Sequence, residues 1–183
     1  MHYAIDIGHN APPGDTGAVG YLKEDDLCRV LGGKVSALLR AGGHTVTECG
    51  VSKAADLNQS LKARVRKANA SGADVFVSLH FNKFLPSIQV TPNPMGSEIY
   101  VSSDAGKKIA LKVMPELTKL GFKIHDGNGG TGVKKAGFHV LVNTKMPAIL
   151  IESFFLESKA DVDLFNKIGM DKLAIAIVKG LTD

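Results

Sequence analysis

Four side chains in this sequence have the types that bind and use a divalent metal: His9, Glu24, His80 and Glu152. Two imidazoles and one carboxylate make a catalytic zinc shell, with three protein ligands and a water in the fourth position. A zinc held this way lowers the pKa of its water to about 7 and polarises a substrate carbonyl. A second carboxylate outside the shell can take the proton from the water and deliver it to a leaving amine. His9, Glu24 and His80 fit the ligand roles, for one zinc per chain, and Glu152 fits the base. There is no HExxH pattern, so no single helix supplies two ligands and the site depends on distant segments converging.

The segments that must converge are short apolar strands alternating with amphipathic helices. Strands are predicted at Tyr3–Ile7, His44–Glu48, Asp74–Leu79, Glu98–Val101, Phe138–Val142 and Ala148–Ile151. Helices are predicted at Glu24–Arg40, Leu57–Ala70, Ala105–Leu120 and Ala160–Gly180. A Pro-rich loop covers Phe84–Pro94 and a Gly-rich segment runs from Asp126 to Gly137. This alternation predicts a single α/β domain, residues 1–183, with a mostly parallel central sheet flanked by helices.

In this scheme His9 follows the first strand, while His80 and Glu152 each close a later one. Ligands of open α/β sheets collect outside the carboxyl ends of the strands, where these three could meet. Taken singly, each could be an ordinary strand-end residue. Glu24, Cys28, Leu31, Val35 and Leu38 follow the spacing of one helix face, so Glu24 tops a buried stripe. Asp25 and Asp26 turn away from that stripe and favour the helix N-terminus. A carboxylate on a core-facing stripe is costly unless paired or bound to a metal, although a frayed first-turn acid would also suit the position.

Composition narrows the class. The 183 residues are 44% apolar and 22% charged, as in a globular chain of one domain. No run approaches the roughly 18 apolar residues of a membrane helix, and no basic-then-apolar leader opens the sequence. A net charge of +4 could hold the protein near an anionic polymer. Nucleic acid is disfavoured, because aromatics are only 6% and no Lys/Arg run is interleaved with them. Cys28 and Cys49 form no metal-ligand spacing and read as buried thiols.

At the candidate residues the sequence resembles the zinc-dependent N-acetylmuramoyl-L-alanine amidases of the type-3 amidase family, which includes autolysins and phage endolysins. The resemblance is carried by Ile5-Asp6-Ile7-Gly8-His9 with Asp15-Thr16-Gly17-Ala18, and by Leu22-Lys23-Glu24-Asp25-Asp26-Leu27. It continues from Leu61 through Arg64, Ala68-Asn69 and Ala73 to Asn82, and ends with Met146 to Glu152 followed by Phe155-Leu156. It implies zinc ligands at His9, Glu24 and His80 and a catalytic glutamate at Glu152. It also implies a peptidoglycan substrate cut between N-acetylmuramic acid and L-alanine. The chain departs from the family pattern at Asn10-Ala11, where Gly-Gly is usual, and at Cys28 and Ser158, where Asn is common.

Gly127-Asn128-Gly129-Gly130-Thr131-Gly132 has the form of a dinucleotide-binding GxGxxG. A strand rather than a helix is expected after it, and Val133 stands where a P-loop requires lysine. The segment instead reads as a loop beside the site, whose Lys134 and Lys135 could meet substrate carboxylates or simply be solvated. His44 and His139 read as strand residues, and His2 and His125 carry no assignment. Two other functions share these features: a zinc peptidase cutting within the stem peptide, and a non-catalytic wall-binding relative. Action on the cell wall without a visible signal peptide suits an endolysin released from the cytoplasm or an excised catalytic domain. Oligomeric state is left open by the sequence.

Overall fold

The computed structural model describes residues 1–84, 90–125 and 130–183. Its elements, in chain order, are β1 (His2–Ile7), α1 (Glu24–Ala41), β2 (Thr45–Glu48), α2 (Leu57–Ser71), β3 (Val75–Asn82), β4 (Glu98–Val101), α3 (Asp104–Lys119), β5 (Val133–Lys135), α4 (His139–Val142), β6 (Ala148–Phe155) and α5 (Lys159–Thr182). The six strands form one sheet in the order β2-β1-β3-β6-β4-β5. All neighbours are parallel except β4, which runs antiparallel to β6. The expected α/β architecture with a mostly parallel sheet is the one observed.

Strand alternation sorts the side chains onto two faces. Tyr3, Ile5, Val75, Val77, Leu79, Ile149 and Ile151 pack against α1, α3 and α5 in the main core. Full burial of each such side chain stabilises the fold by roughly 1.5–3 kcal/mol. Ala4, Phe76, Ala148 and Leu150 point the other way, toward Ala68 of α2 and Val140 and Leu141 of α4. The same second face carries Asp6, Ser78, His80 and Glu152, so the polar side chains line up on one side of the sheet.

Three expectations are corrected. The segment 138–142 is not a strand: its buried residues, Val140 and Leu141, are adjacent rather than alternating, and they fit one helical turn against α2. Part of the Gly-rich segment is the edge strand β5, paired with β4. The last helix is broken at Gly169 (φ 80°), a left-handed conformation that glycine adopts without a Cβ clash. The Pro-rich loop and the glycine motif extend over residues 85–89 and 126–129, which lie outside the described residues.

Candidate metal centre and active site

His9 leaves the carboxyl end of β1 on a strained turn. Its φ is 53° and that of Asn10 is 63°, both in the left-handed region that few side chains tolerate. Gly8 allows the turn to pass close to His80, because no Cβ obstructs the imidazole. His9 Nδ1 lies 2.8 Å from Asp15 Oδ1, which leaves Nε2 facing Glu24 Oε1 at 3.3 Å. Glu24 begins α1 and is 3% exposed. Its Oε2 accepts the Ala18 N–H at 2.8 Å, and its Oε1 lies 3.0 Å from His80 Nδ1. The helix N-terminus further favours a carboxylate there.

Two imidazole nitrogens and one carboxylate oxygen therefore converge, the three donor atoms lying within 4.8 Å of one another. The burial of Glu24 would raise its pKa, but hydrogen bonds and charge from His80 and His9 outweigh this and hold it well below the carboxylate range. Burial likewise opposes the charged form of His9, yet Asp15 and Glu24 carry its pKa up to about 10. Such a cluster of opposed charges is poised to take a cation. Two histidines and one glutamate have the composition of a three-ligand zinc site.

His80 and Glu152 do not end their strands, as the sequence suggested. β3 runs on to Asn82 and β6 to Phe155, and the two residues sit opposite each other in the parallel register. Glu152 Oε2 is enclosed and has no hydrogen-bond partner. Burial, then the charges of Glu24 and Glu98, push the Glu152 carboxyl well above its usual range. A carboxyl with one enclosed, unengaged oxygen beside a group of potential metal ligands is an arrangement that can serve proton transfer.

Glu98 is a member of this site that the sequence reading missed. It lies opposite Glu152 in the antiparallel β4–β6 pair and is 2% exposed. It accepts from Asn82 Nδ2, from the Tyr100 hydroxyl at 2.8 Å and from Lys134 Nζ. Lys134 is thus engaged by a carboxylate of the protein and is not a solvated loop cation; Lys135 is exposed. The available signal was Glu98 at the head of an apolar strand. Asp25 is also corrected: its Oδ1 accepts the N–H groups of Asn10 and Gly17, both at 3.0 Å, so it ties the ligand loop to α1. Asp26 is exposed, as expected.

Two cavities meet at the cluster and share His9, His80 and Glu152. One, of about 370 Å³, has an apolar wall that includes Leu57, Leu61, Phe138 and Val140. The other, of about 410 Å³, is lined by polar residues including Thr16, Asn82 and Lys83. His139, expected in a strand, instead begins α4 and faces the first cavity. His44 lies just before β2. Cys28 and Cys49 are buried free thiols, as the sequence implied.

Residues 4–183 match the model of the family described as N-acetylmuramoyl-L-alanine amidase. The chain belongs to this family. It is 32% identical over 182 residues to N-acetylmuramoyl-L-alanine amidase LytC of Bacillus subtilis (strain 168), covering 96% of this chain and 34% of that protein. It is 31% identical to the endolysin of Bacillus phage SPP1, covering 89% of this chain and 58% of the phage protein. The chain thus spans about a third to three-fifths of the length of these two relatives. Among solved structures, the catalytic domain of the CD27L endolysin superposes with a TM-score of 0.84 at 26% identity, covering 99% of this chain and 96% of that one.

Two departures from the amidase pattern, at Asn10 and Ser158, have local explanations. Asn10 stands where glycine is usual and keeps the left-handed backbone, which Asn tolerates better than most residues. Ser158 stands where Asn is common and caps α5, its side chain accepting the Asp161 N–H as an Asn could. Among the described residues, no helix is long and apolar enough to cross a membrane.

Proposed function

We propose that this chain, residues 1–183, is a catalytic domain that hydrolyses the amide bond between N-acetylmuramic acid and L-alanine in bacterial peptidoglycan. His9, Glu24 and His80 hold one zinc per chain, and Glu152 is the general base and acid. The observation that carries this reading is the convergence of three donor atoms beside the unengaged carboxyl of Glu152, in a chain of the amidase family.

Zinc bound by these ligands would polarise the scissile carbonyl and acidify a water. Glu152 takes the proton as water adds to the carbonyl carbon, then returns it to the amide nitrogen as the C–N bond breaks. One water is consumed, and the products are a free carboxylate and a free amine. His9 keeps its orientation through Asp15, and Glu24 keeps its through Ala18 N–H. The two cavities that share His9, His80 and Glu152 give room for a substrate that extends beyond the scissile bond. The enzyme acts on the cell wall, outside the cytoplasm.

The test is mass spectrometry of digested cell walls, with metal analysis of the purified protein. Amidase action frees an N-terminal alanine and leaves the glycan intact. A new amino terminus elsewhere in the stem peptide would assign the chain to the peptidase alternative. Wall binding without any new terminus would assign it to the non-catalytic one.

A further inference from the structure

Arg64 is 1% exposed, and acceptors are present for all five of its guanidinium N–H groups. Nε donates to Ser60 Oγ at 3.0 Å, and Nη1 donates to Asp6 Oδ1 at 2.7 Å and to the Ile7 carbonyl at 2.5 Å. Nη2 donates to the His9 carbonyl and to Asp15 Oδ2 at 3.3 Å. The Ser60 hydroxyl donates to that same Asp15 oxygen at 2.6 Å. The other oxygen of Asp15 holds His9 Nδ1.

We propose that Asp15 and Arg64 are positioning residues for the metal. Asp15 fixes the rotation of the His9 imidazole so that Nε2 faces the ligand cluster, and Arg64 fixes both Asp15 and the strained backbone that carries His9. The inference rests on reading His9–Glu24–His80 as a metal site. A buried ion pair is by itself a poor reason to retain an arginine, since apolar packing often serves stability as well. The contact pattern argues for a local task. Two of the five acceptors are the carbonyls of Ile7 and His9, which bracket the ligand turn. A third is the carboxylate that orients the ligand ring. Only a planar fork reaches all of them together, which a lysine ammonium cannot do.

The test titrates Zn²⁺ and Co²⁺ into metal-free wild type, Asp15→Ala, Asp15→Asn, Ser60→Ala and Arg64→Lys. Thermal unfolding of each metal-free protein supplies the folded fraction. Wild type is measured first: failure to bind either ion would overturn the metal reading itself, before any variant is considered. Asp15→Ala and Arg64→Lys are expected to weaken binding by about 10–100-fold, as is usual when the partner of a ligating histidine is removed. Asp15→Asn keeps an acceptor for the ring N–H and should recover part of that loss. The visible bands of the Co²⁺ form should move in Asp15→Ala, which a purely structural role would not cause. Wild-type affinity in Asp15→Ala, after correction for folded fraction, would overturn the proposal. If Asp15→Ala and Arg64→Lys do not fold, Ser60→Ala decides, since it removes one hydroxyl from the link. A measurable loss of affinity there supports the link, and unchanged affinity overturns it.

Discussion

Replacing Gly8 with alanine should disable the site while leaving the rest of the domain in place. A Cβ at this position would lie 2.4 Å from His80 Cε1, 2.6 Å from Nε2 and 2.7 Å from Nδ1, whereas ordinary contact begins at 3.4 Å. The imidazole must therefore retreat by about 1 Å, because Gly8 cannot: its N–H is bonded to the Leu79 carbonyl at 3.1 Å. His80 Nδ1 is the atom that meets Glu24 Oε1 at 3.0 Å, and metal–ligand distances tolerate only about 0.2 Å. A misplacement of about 1 Å costs on the order of 10²-fold in rate. The assay is clearance of cell-wall suspensions alongside Zn²⁺ titration, with thermal melts to show that the protein is folded. Gly33→Ala is the control, since its Cβ would meet nothing within 4 Å on α1 and alanine is the better helix former by roughly 1 kcal/mol. Wild-type lysis and zinc affinity in folded Gly8→Ala would refute the reasoning.

Glu152→Gln should retain zinc while turnover falls by about 10²–10⁴-fold, the usual loss for a general acid–base group; zinc lost in parallel with activity would instead make Glu152 a ligand. Glu24→Ala should abolish tight zinc binding and Asp26→Ala should not affect it. Asp25→Ala should fall between them, because Asp25 holds Asn10 and Gly17; equal zinc affinities in all three would show that the helix phase is misassigned. In the metal-free protein the pKa of His9 is raised from 6.5 to about 10, so protons compete with the metal and affinity should rise about tenfold per pH unit up to that value. The same shift stabilises the metal-free fold fully below pH 6.5 and is lost as pH climbs through about 10, and a melting temperature constant across that window would contradict the assignment. Chelation should abolish lysis with far-UV circular dichroism retained, because the main core is made of apolar side chains and includes none of His9, Glu24 and His80.

The parts of the fold legible in the sequence are those where one physical signal dominated. The stripe from Glu24 to Val35 is buried as the helical spacing required, with Leu39 also fully buried and Leu38 only partly so. Phe138–Val142 misled because a five-residue apolar run satisfies either period, and its helical turn is decided by contact with α2. β5 escaped because three residues after a glycine run carry no periodicity, and pairing with β4 alone defines it. The residue types of His9, Glu24 and His80 suggested that they group, and the structure brings the three together. Glu98 meets Lys134 from 36 positions away, and Arg64 meets Asp15, His9 and Asp6 from 49, 55 and 58 positions away, and such distances leave no local signal. One cue was present in hindsight. Asp6 and Ser78 interrupt apolar strands at positions on the His80 face, and a polar residue in a buried strand implies a partner.

The charges of the site make a separate argument for a divalent ion. Among the described residues, Asp6, Asp15, Glu24 and Glu98 are carboxylates held in ion pairs around the cluster, and their permanently cationic partners are Arg64 and Lys134. Glu98 is matched by Lys134, while Asp6 and Asp15 share Arg64. Two negative charges remain over, and buried charge without a partner is costly. The protein compensates in part by drawing a proton onto His9, whose pKa rises for that reason. A dication on His9, Glu24 and His80 would supply both missing charges at once and release that proton. It would also oppose the field of Glu24 that raises the Glu152 carboxyl. On the proposed reading, metal loading and the readiness of Glu152 as a base would be coupled through one charge balance, with Glu24 as the residue common to both.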